Sequence, residues 1–192
     1  MLKEFIQDAA AAFDQTGHPV AQDVASLLES LEVSADWQAP QKQPALAVLP
    51  AALAATDCHP AAARFADIAE HLTWNGTSHL SPNSVADIYC FVMIAGPGAM
   101  IEDTRFRFGV YLQIPGVHYP SHRHEAVELY LPLSGTAEWQ KDRAAFRPVT
   151  PGTLIHHKSY QPHATRTLEA PLLALWAWTG NLSLGTYSID AD

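Results

Sequence analysis

A chain of 192 residues with 48% hydrophobic and 16% charged side chains can bury a globular core and is too apolar to be disordered. Its formal charge of −9, with four lysines and no basic cluster, excludes the electrostatic footprint of a nucleic-acid partner. The start MLKEFIQDAA lacks the apolar run of a signal peptide and no stretch reaches the length of a membrane span, so a cytoplasmic protein is expected.

Leu2, Phe5, Ile6, Ala9, Ala10 and Phe13 recur at helical spacing, and Gly17 with Pro19 ends that first helix. Val20, Val24, Leu27, Leu28 and Leu31 repeat the pattern in a second. Residues 34–55 are rich in Ala, Pro and Gln and read as an ordered connector with a short helix. Pro60 suits the first position of a third helix, whose apolar face is Ala61, Phe65, Ile68, Ala69 and Leu72. His18, His59, His71 and His79 stand apart from one another and are expected to be structural or solvated. Cys58 and Cys90 have neither metal nor redox spacing, so free buried thiols are expected.

Beyond residue 81 the texture changes to strands. Residues 88–94 form a short apolar run ended by Gly96-Pro97-Gly98. Phe106, Phe108, Val110, Leu112 and Ile114 alternate with Arg107, Gly109, Tyr111 and Gln113, the period of a half-buried strand. Residues 138–140, 148–155 and 172–178 add further strands between turn residues. Many short strands with Gly and Pro turns predict a mainly β barrel or jelly roll. The expected division is a helical segment over residues 1–80 and a barrel over 81–192. The helices would cover one side of the barrel or form a subunit contact, such as that of a homodimer.

The chemistry concentrates in GVHYPSHRHEAVELYLPLSG, residues 116–135. His122 and His124 share one face of a strand, and Glu128 and Tyr130 share a parity opposite to Val127, Leu129, Leu131 and Leu133. With His163, these residues offer three imidazoles and a carboxylate, a set suited to Fe, Mn, Ni, Zn or Cu. Six of the ten histidines fall between 118 and 163, which argues against scatter. Tyr119 and Tyr130 flank the set, and a phenol beside a divalent cation can ionise below its ordinary pKa of about 10 and serve as a general base. Trp176 and Trp178 point to one side of a strand, where they either fill the core or offer their faces to a cation.

Gly116, five residues, His122-x-His124, three residues, Glu128, six residues and Gly135 resemble the first cupin motif at every position. The second motif is looser: Pro151-Gly152 opens a turn, but Ser159-Tyr160-Gln161-Pro162 replaces the usual Pro-Gly before His163. The resemblance implies a cupin, a jelly-roll or double-stranded β-helix barrel, here with an N-terminal α-helical extension. The runs YLQIPGVHYPSHRH from Tyr111 and ELYLPLSGTAEW from Glu128 are similar to those of the cupin dimethylsulfoniopropionate (DMSP) lyases of marine bacteria.

That resemblance implies one divalent transition metal (Fe, Zn, Mn or Ni) on His122, His124, Glu128 and His163, with Tyr130 a further candidate ligand. For His122, both direct ligation and a hydrogen bond to a bound water are open. It implies Tyr130 or Tyr119 as the base, a sulfonium carboxylate as substrate, and Trp178 and Trp176 around the sulfonium. The reaction would be β-elimination to dimethyl sulfide and acrylate, helped by a metal bound to the carboxylate. The alternatives are a sugar isomerase, a dioxygenase or a non-enzymatic metal-binding or ligand-binding cupin. An isomerase would need a pocket rich in hydrogen-bonding side chains.

Overall fold

The computed structural model describes residues 1–33, 43–55, 59–76 and 87–190. Helix α1 (Leu2–Asp14) turns Phe5, Ile6, Ala9 and Phe13 inward, and Gly17, at φ +66°, lets the chain leave it. Helix α2 (Pro19–Glu29) follows, so Pro19 starts this helix as well as stopping the last one; the His18 ring nitrogen caps it by accepting from the Val20 amide at 3.2 Å. Residues 43–55 hold a 3-10 turn (Pro44–Val48) and α3 (Leu49–Ala54), the short helix expected of the connector. The third expected helix is cut short. Helix α4 covers Pro60–Ala66, and a separate 3-10 turn, Ala69–His71, follows. The Trp74 indole pins that turn by donating to the Ala69 carbonyl at 3.0 Å.

The strands form two five-stranded antiparallel sheets. The first contains β1 (Tyr89–Ala95), β2 (Phe106–Gln113), β9 (Leu172–Thr179), β4 (Val127–Ser134) and β7 (Ile155–His157), in that spatial order. The second contains β10 (Ser188–Ile189), β3 (His118–Arg123), β8 (His163–Thr167), β5 (Ala137–Lys141) and β6 (Arg147–Val149). This is the cupin double-stranded β-helix. The strand expected over residues 148–155 divides in two, because Gly152 at φ +79° turns the chain from the second sheet to the first.

Two cores lie on opposite faces of the first sheet. Outside, the helices pack on Phe108, Leu112, Leu129 and Leu175; Phe5 meets Phe65 at 5.4 Å and Phe108 at 6.1 Å. Each such ring contributes about 1.5–3 kcal/mol through the apolar surface it buries. Inside, between the sheets, lies an aromatic core that includes Tyr111, Tyr119, Tyr130, Trp139, Trp176 and Trp178. Strand β2 is therefore buried on both faces, not half-buried. Its polar-looking side, Arg107, Tyr111 and Gln113, turns into the molecule, where Tyr111 donates to Gln113 Oε1 at 2.7 Å. Cys90 is a free buried thiol whose pKa burial pushes up to about 12; Cys58 and His79 lie outside the described residues. Among the described residues, no helix is long and apolar enough to cross a membrane.

Candidate metal centre

Both sheets contribute to the histidine cluster. In the second, His122 on β3 lies directly opposite His163 at the start of β8, which brings their rings to 4.1 Å. In the first, Glu128 on β4 stands between His157 on β7 and Trp178 on β9. His124, just beyond β3, completes the group. All four residues are buried, and one ligating atom from each of His122, His124, Glu128 and His163 falls within 4.8 Å of the others. A register shift between Tyr119 and His122 puts these residues, three apart, on one face, with their rings stacked at 4.2 Å.

Each imidazole is oriented by the backbone. His122 Nδ1 lies 2.9 Å from the Pro120 carbonyl, His124 Nδ1 3.1 Å from that of Ala126, and His163 Nδ1 2.8 Å from that of Gln161. A carbonyl only accepts, so each Nδ1 carries the proton and each Nε2 presents a lone pair. Glu128 Oε2 lies 3.4 Å from His124 Nε2 and 3.0 Å from His163 Nε2, and these three buried atoms have no hydrogen-bond partner among the described residues. Electron pairs facing one another at such distances need a positive centre between them. A proton would relieve one pair, whereas a divalent cation relieves all three atoms at once. The donor set thus fits a metal ion.

Electrostatics agree with this reading. Burial acts to raise the Glu128 carboxyl, but positive charge placed on the His124 and His163 side more than offsets it and holds the group well below the usual carboxylate range; with both Nε2 atoms presenting lone pairs, a cation between them is what supplies that charge. The remaining carboxylate oxygen, Oε1, accepts a 2.6 Å hydrogen bond from the Trp178 indole. Burial holds His122 well below the ordinary histidine range, so it is neutral and free to donate a lone pair.

A cavity of about 190 Å³ opens beside the cluster, with His122 and Glu128 in its wall. Tyr119, Tyr130, Trp176 and Trp178 all line it, so the structure brings together every site residue singled out in the sequence. The tyrosines differ in setting. Burial and then the Glu128 charge raise Tyr130 well above 10. Tyr119 is raised by burial and belongs to a chain of phenols, accepting from Tyr89 at 3.0 Å and lying 2.5 Å from the Tyr187 hydroxyl. Tyr89, Arg107, Met93 and Tyr187 also line the cavity and were not expected there. The alternation of β2 placed Arg107 with Tyr111 on one face, but did not show that this face looks inward. His157 was also missed: fully buried, it stacks on His163 at 4.0 Å, and neither ring nitrogen has a partner among the described residues.

The fold and the donor set define a metal-binding cupin. A profile of the dimethylsulfoniopropionate lyase family matches residues 18–174. The chain belongs to that family. It is 36% identical over 111 residues to dimethylsulfoniopropionate lyase DddQ of Ruegeria pomeroyi, an alignment covering 58% of this chain and 54% of that protein. It is 32% identical over 118 residues to the putative lyase DddL of Cereibacter sphaeroides, covering 60% and 49% of the two chains. The chain thus spans about half the length of the curated relatives it matches. The crystal structure of the Ruegeria DddQ superposes with a TM-score of 0.76 at 26% identity, covering 96% of this chain and 95% of that one. One from the pair of DMSP lyases RdDddP and RnDddQII gives a TM-score of 0.73 at 22% identity, over 99% and 97% of the two chains, a likeness of fold.

Proposed function

We propose that the chain is a carbon–sulfur lyase that eliminates dimethyl sulfide from dimethylsulfoniopropionate and leaves acrylate. The observation that carries this reading is the set of unpartnered His and Glu donors converging beside a buried phenol in an aromatic pocket. Tyr130 takes the proton from the carbon next to the carboxylate. The electron pair of that C–H bond forms the new carbon–carbon double bond, and the C–S pair departs with sulfur. Dimethyl sulfide leaves neutral, so no acid is needed. The Trp176 and Trp178 faces receive the sulfonium, whose positive charge suits indole rings. When bound by His122, His124, Glu128 and His163, a divalent transition metal (iron, zinc, manganese or nickel) supplies positive charge that stabilises both the carbanionic substrate and the Tyr130 phenolate.

The aromatic lining supports a sulfonium substrate over a sugar, which would need more hydrogen-bonding groups. A metal-binding barrel over residues 81–192 is supported by all four donors lying there, while Asn75 of the helical segment reaches the cavity wall. The test is headspace detection of dimethyl sulfide after metal-loaded protein is mixed with the substrate. Release above a protein-free control is expected; none would reject the lyase reading.

A further inference from the structure

The chain leaves β9 at Gly180 and passes along the cavity before it pairs as β10. Gly180, at φ +81°, makes the turn. The Leu182 carbonyl then accepts from Arg107 Nε at 3.3 Å, and Arg107 stands opposite Trp178 in the sheet. Further on, the Tyr187 hydroxyl lies 2.5 Å from that of Tyr119, whose ring stacks on His122. Residues 182–187 therefore run from the indole end of the cavity to its metal end. Leu184 and Tyr187 both line it, and Leu184 is also 43% exposed, so it stands where the cavity meets solvent.

The carboxylates of Glu125 and Asp190 fasten this strap. Glu125, the residue after His124, accepts from Asn181 Nδ2 at 2.8 Å through Oε2 and donates its amide to Thr186 Oγ1 at 3.1 Å. Asp190, its side chain only 4% exposed, accepts from Ser121 Oγ and from Arg123 Nε, both at 2.7 Å. Its amide donates to the Ser121 carbonyl at 2.7 Å, and Ile189 pairs with His122 in the β10–β3 register. A buried carboxylate parted from its cation is costly, so Asp190 holds the strap in one place. Ser183 Oγ accepts from the Gly185 amide at 3.3 Å and shapes the 3-10 turn that carries Leu184.

We propose that the strap sets the bulk of the onium group that the cavity admits, with Leu184 as a specificity-determining residue and Asp190 as the positioning residue that keeps it on the wall. This selectivity rests on the lyase reading for the way the substrate lies, carboxylate toward the metal and sulfonium toward Trp176 and Trp178, and adds what limits the groups on sulfur. Indole faces attract an onium cation whatever its substituents, because they answer to its charge. Selection between a dimethyl and a larger sulfonium therefore comes from a wall, and an aliphatic side chain fixed in place supplies it by steric overlap. A loose strap would yield to the larger group, so the selection depends on the Asp190 latch.

The probes are dimethylsulfonioacetate and diethylsulfonioacetate. Both keep the carboxylate and the sulfonium but lack the second carbon of the propionate chain, so neither can be cleaved to acrylate. Binding is measured by calorimetry on metal-loaded protein, and the readout is the ratio of the two affinities. Two additional methylenes, if accommodated, would strengthen binding about tenfold. Wild type is expected instead to bind the diethyl probe at least about tenfold more weakly than the dimethyl one. Leu184→Ala should shrink that preference about tenfold, and Leu184→Phe should increase it; the position is exposed, so both variants should fold. Asp190→Asn keeps the volume, removes the charge that holds Arg123, and should shrink the preference about 3–10-fold. A merely structural role would lower the melting temperature and leave the ratio alone. Wild type that binds neither probe, or binds the diethyl one as tightly as the dimethyl one, would overturn the selectivity, and so would a ratio unchanged in both Leu184 variants. An unchanged ratio in Asp190→Asn would overturn the latch. Dimethyl sulfide release from dimethylsulfoniopropionate by wild type separates the two readings. A ratio that follows residue 184 without any release would sink the lyase reading alone. Release with a ratio indifferent to residue 184 would sink the strap alone.

Discussion

Replacing Tyr130 by phenylalanine removes one oxygen from a residue of the cavity wall and leaves the ring in place. That ring packs at 5.5 Å from Tyr111 and 5.8 Å from Trp139, and those contacts survive. The lost group is one buried hydroxyl beside the Glu128 charge, and losing a single hydrogen-bonding group costs about 0.5–3 kcal/mol. For a chain of this size, each kcal/mol moves the melting temperature by about 2–4 °C, so the fold should persist. Loss of the base should reduce kcat by about 10²–10⁴-fold, or about 3–5 kcal/mol of barrier. The assay is the initial rate of dimethyl sulfide release at saturating substrate, with metal content measured on the same sample. Tyr119→Phe is the control, and its hydroxyl is already engaged with Tyr89 and Tyr187, so turnover within about tenfold of wild type is expected. Exchange of the substrate's Cα hydrogen with deuterated solvent, where proton removal is reversible, should disappear with Tyr130→Phe. Near-normal turnover in Tyr130→Phe beside an inactive Tyr119→Phe would move the base to Tyr119. Near-normal turnover in both would refute a tyrosine base altogether.

Metal analysis of wild type should find about one divalent ion per chain. Glu128→Ala or His163→Ala should lose most of it, and His122→Ala should be milder than His124→Ala; full retention in both of the first two would reject this ligand set. Trp178→Ala removes the donor to Glu128 Oε1 and a wall of the cavity, so it should weaken metal affinity about 10–100-fold and raise the KM for the sulfonium; a changed melting temperature with an unchanged KM would make this indole a packing residue. Burial holds the His157 and His122 pKa values well below the ordinary 6.5, so below that pH the unfolded chain takes up protons that the native state refuses. Stability of metal-stripped protein should therefore fall as pH drops below about 6.5, by about 1.4 kcal/mol per pH unit for each such histidine, and His157→Phe should remove one histidine's share. Melting curves between pH 7.5 and 5, taken for both proteins, check this, and identical slopes would count against it. Gly109→Ala places a Cβ 1.8 Å from the Val92 carbonyl oxygen, so it should cost about 1–3 kcal/mol or more, measured by urea denaturation.

The site was far more legible in the sequence than the pocket around it. Ligand spacing within one strand-turn-strand unit is local information, and the two-residue period of β4 separates Glu128 and Tyr130 from Leu129 and Leu131 without knowledge of the fold. His163 could be placed because the cupin motif supplies a long-range pairing that periodicity does not. Arg107 and Tyr89 had no such help. Alternation shows that a strand has two faces, but a polar face reads as solvent-facing until a second sheet is known to cover it. Tyr119 shows a different limit. Its odd spacing from His122 predicts opposite faces, and only the register shift in β3 brings them together. The merging of β6 and β7 into one expected strand has the same origin, since a turn that switches sheets looks like any other Pro-Gly turn.

The three carbonyls that accept from His122, His124 and His163 bear on how such a centre tolerates mutation. Where a carboxylate side chain orients a metal-binding histidine, one substitution in that partner misdirects the ring. Here the partners are peptide oxygens of Pro120, Ala126 and Gln161, which no substitution deletes. Variation at these three positions can proceed while the imidazoles keep their aim, provided the strands keep their path. Insertions and deletions are the damaging class: one residue added between Pro120 and His122 would leave both sequences of side chains nearly intact and point the ring away from its carbonyl.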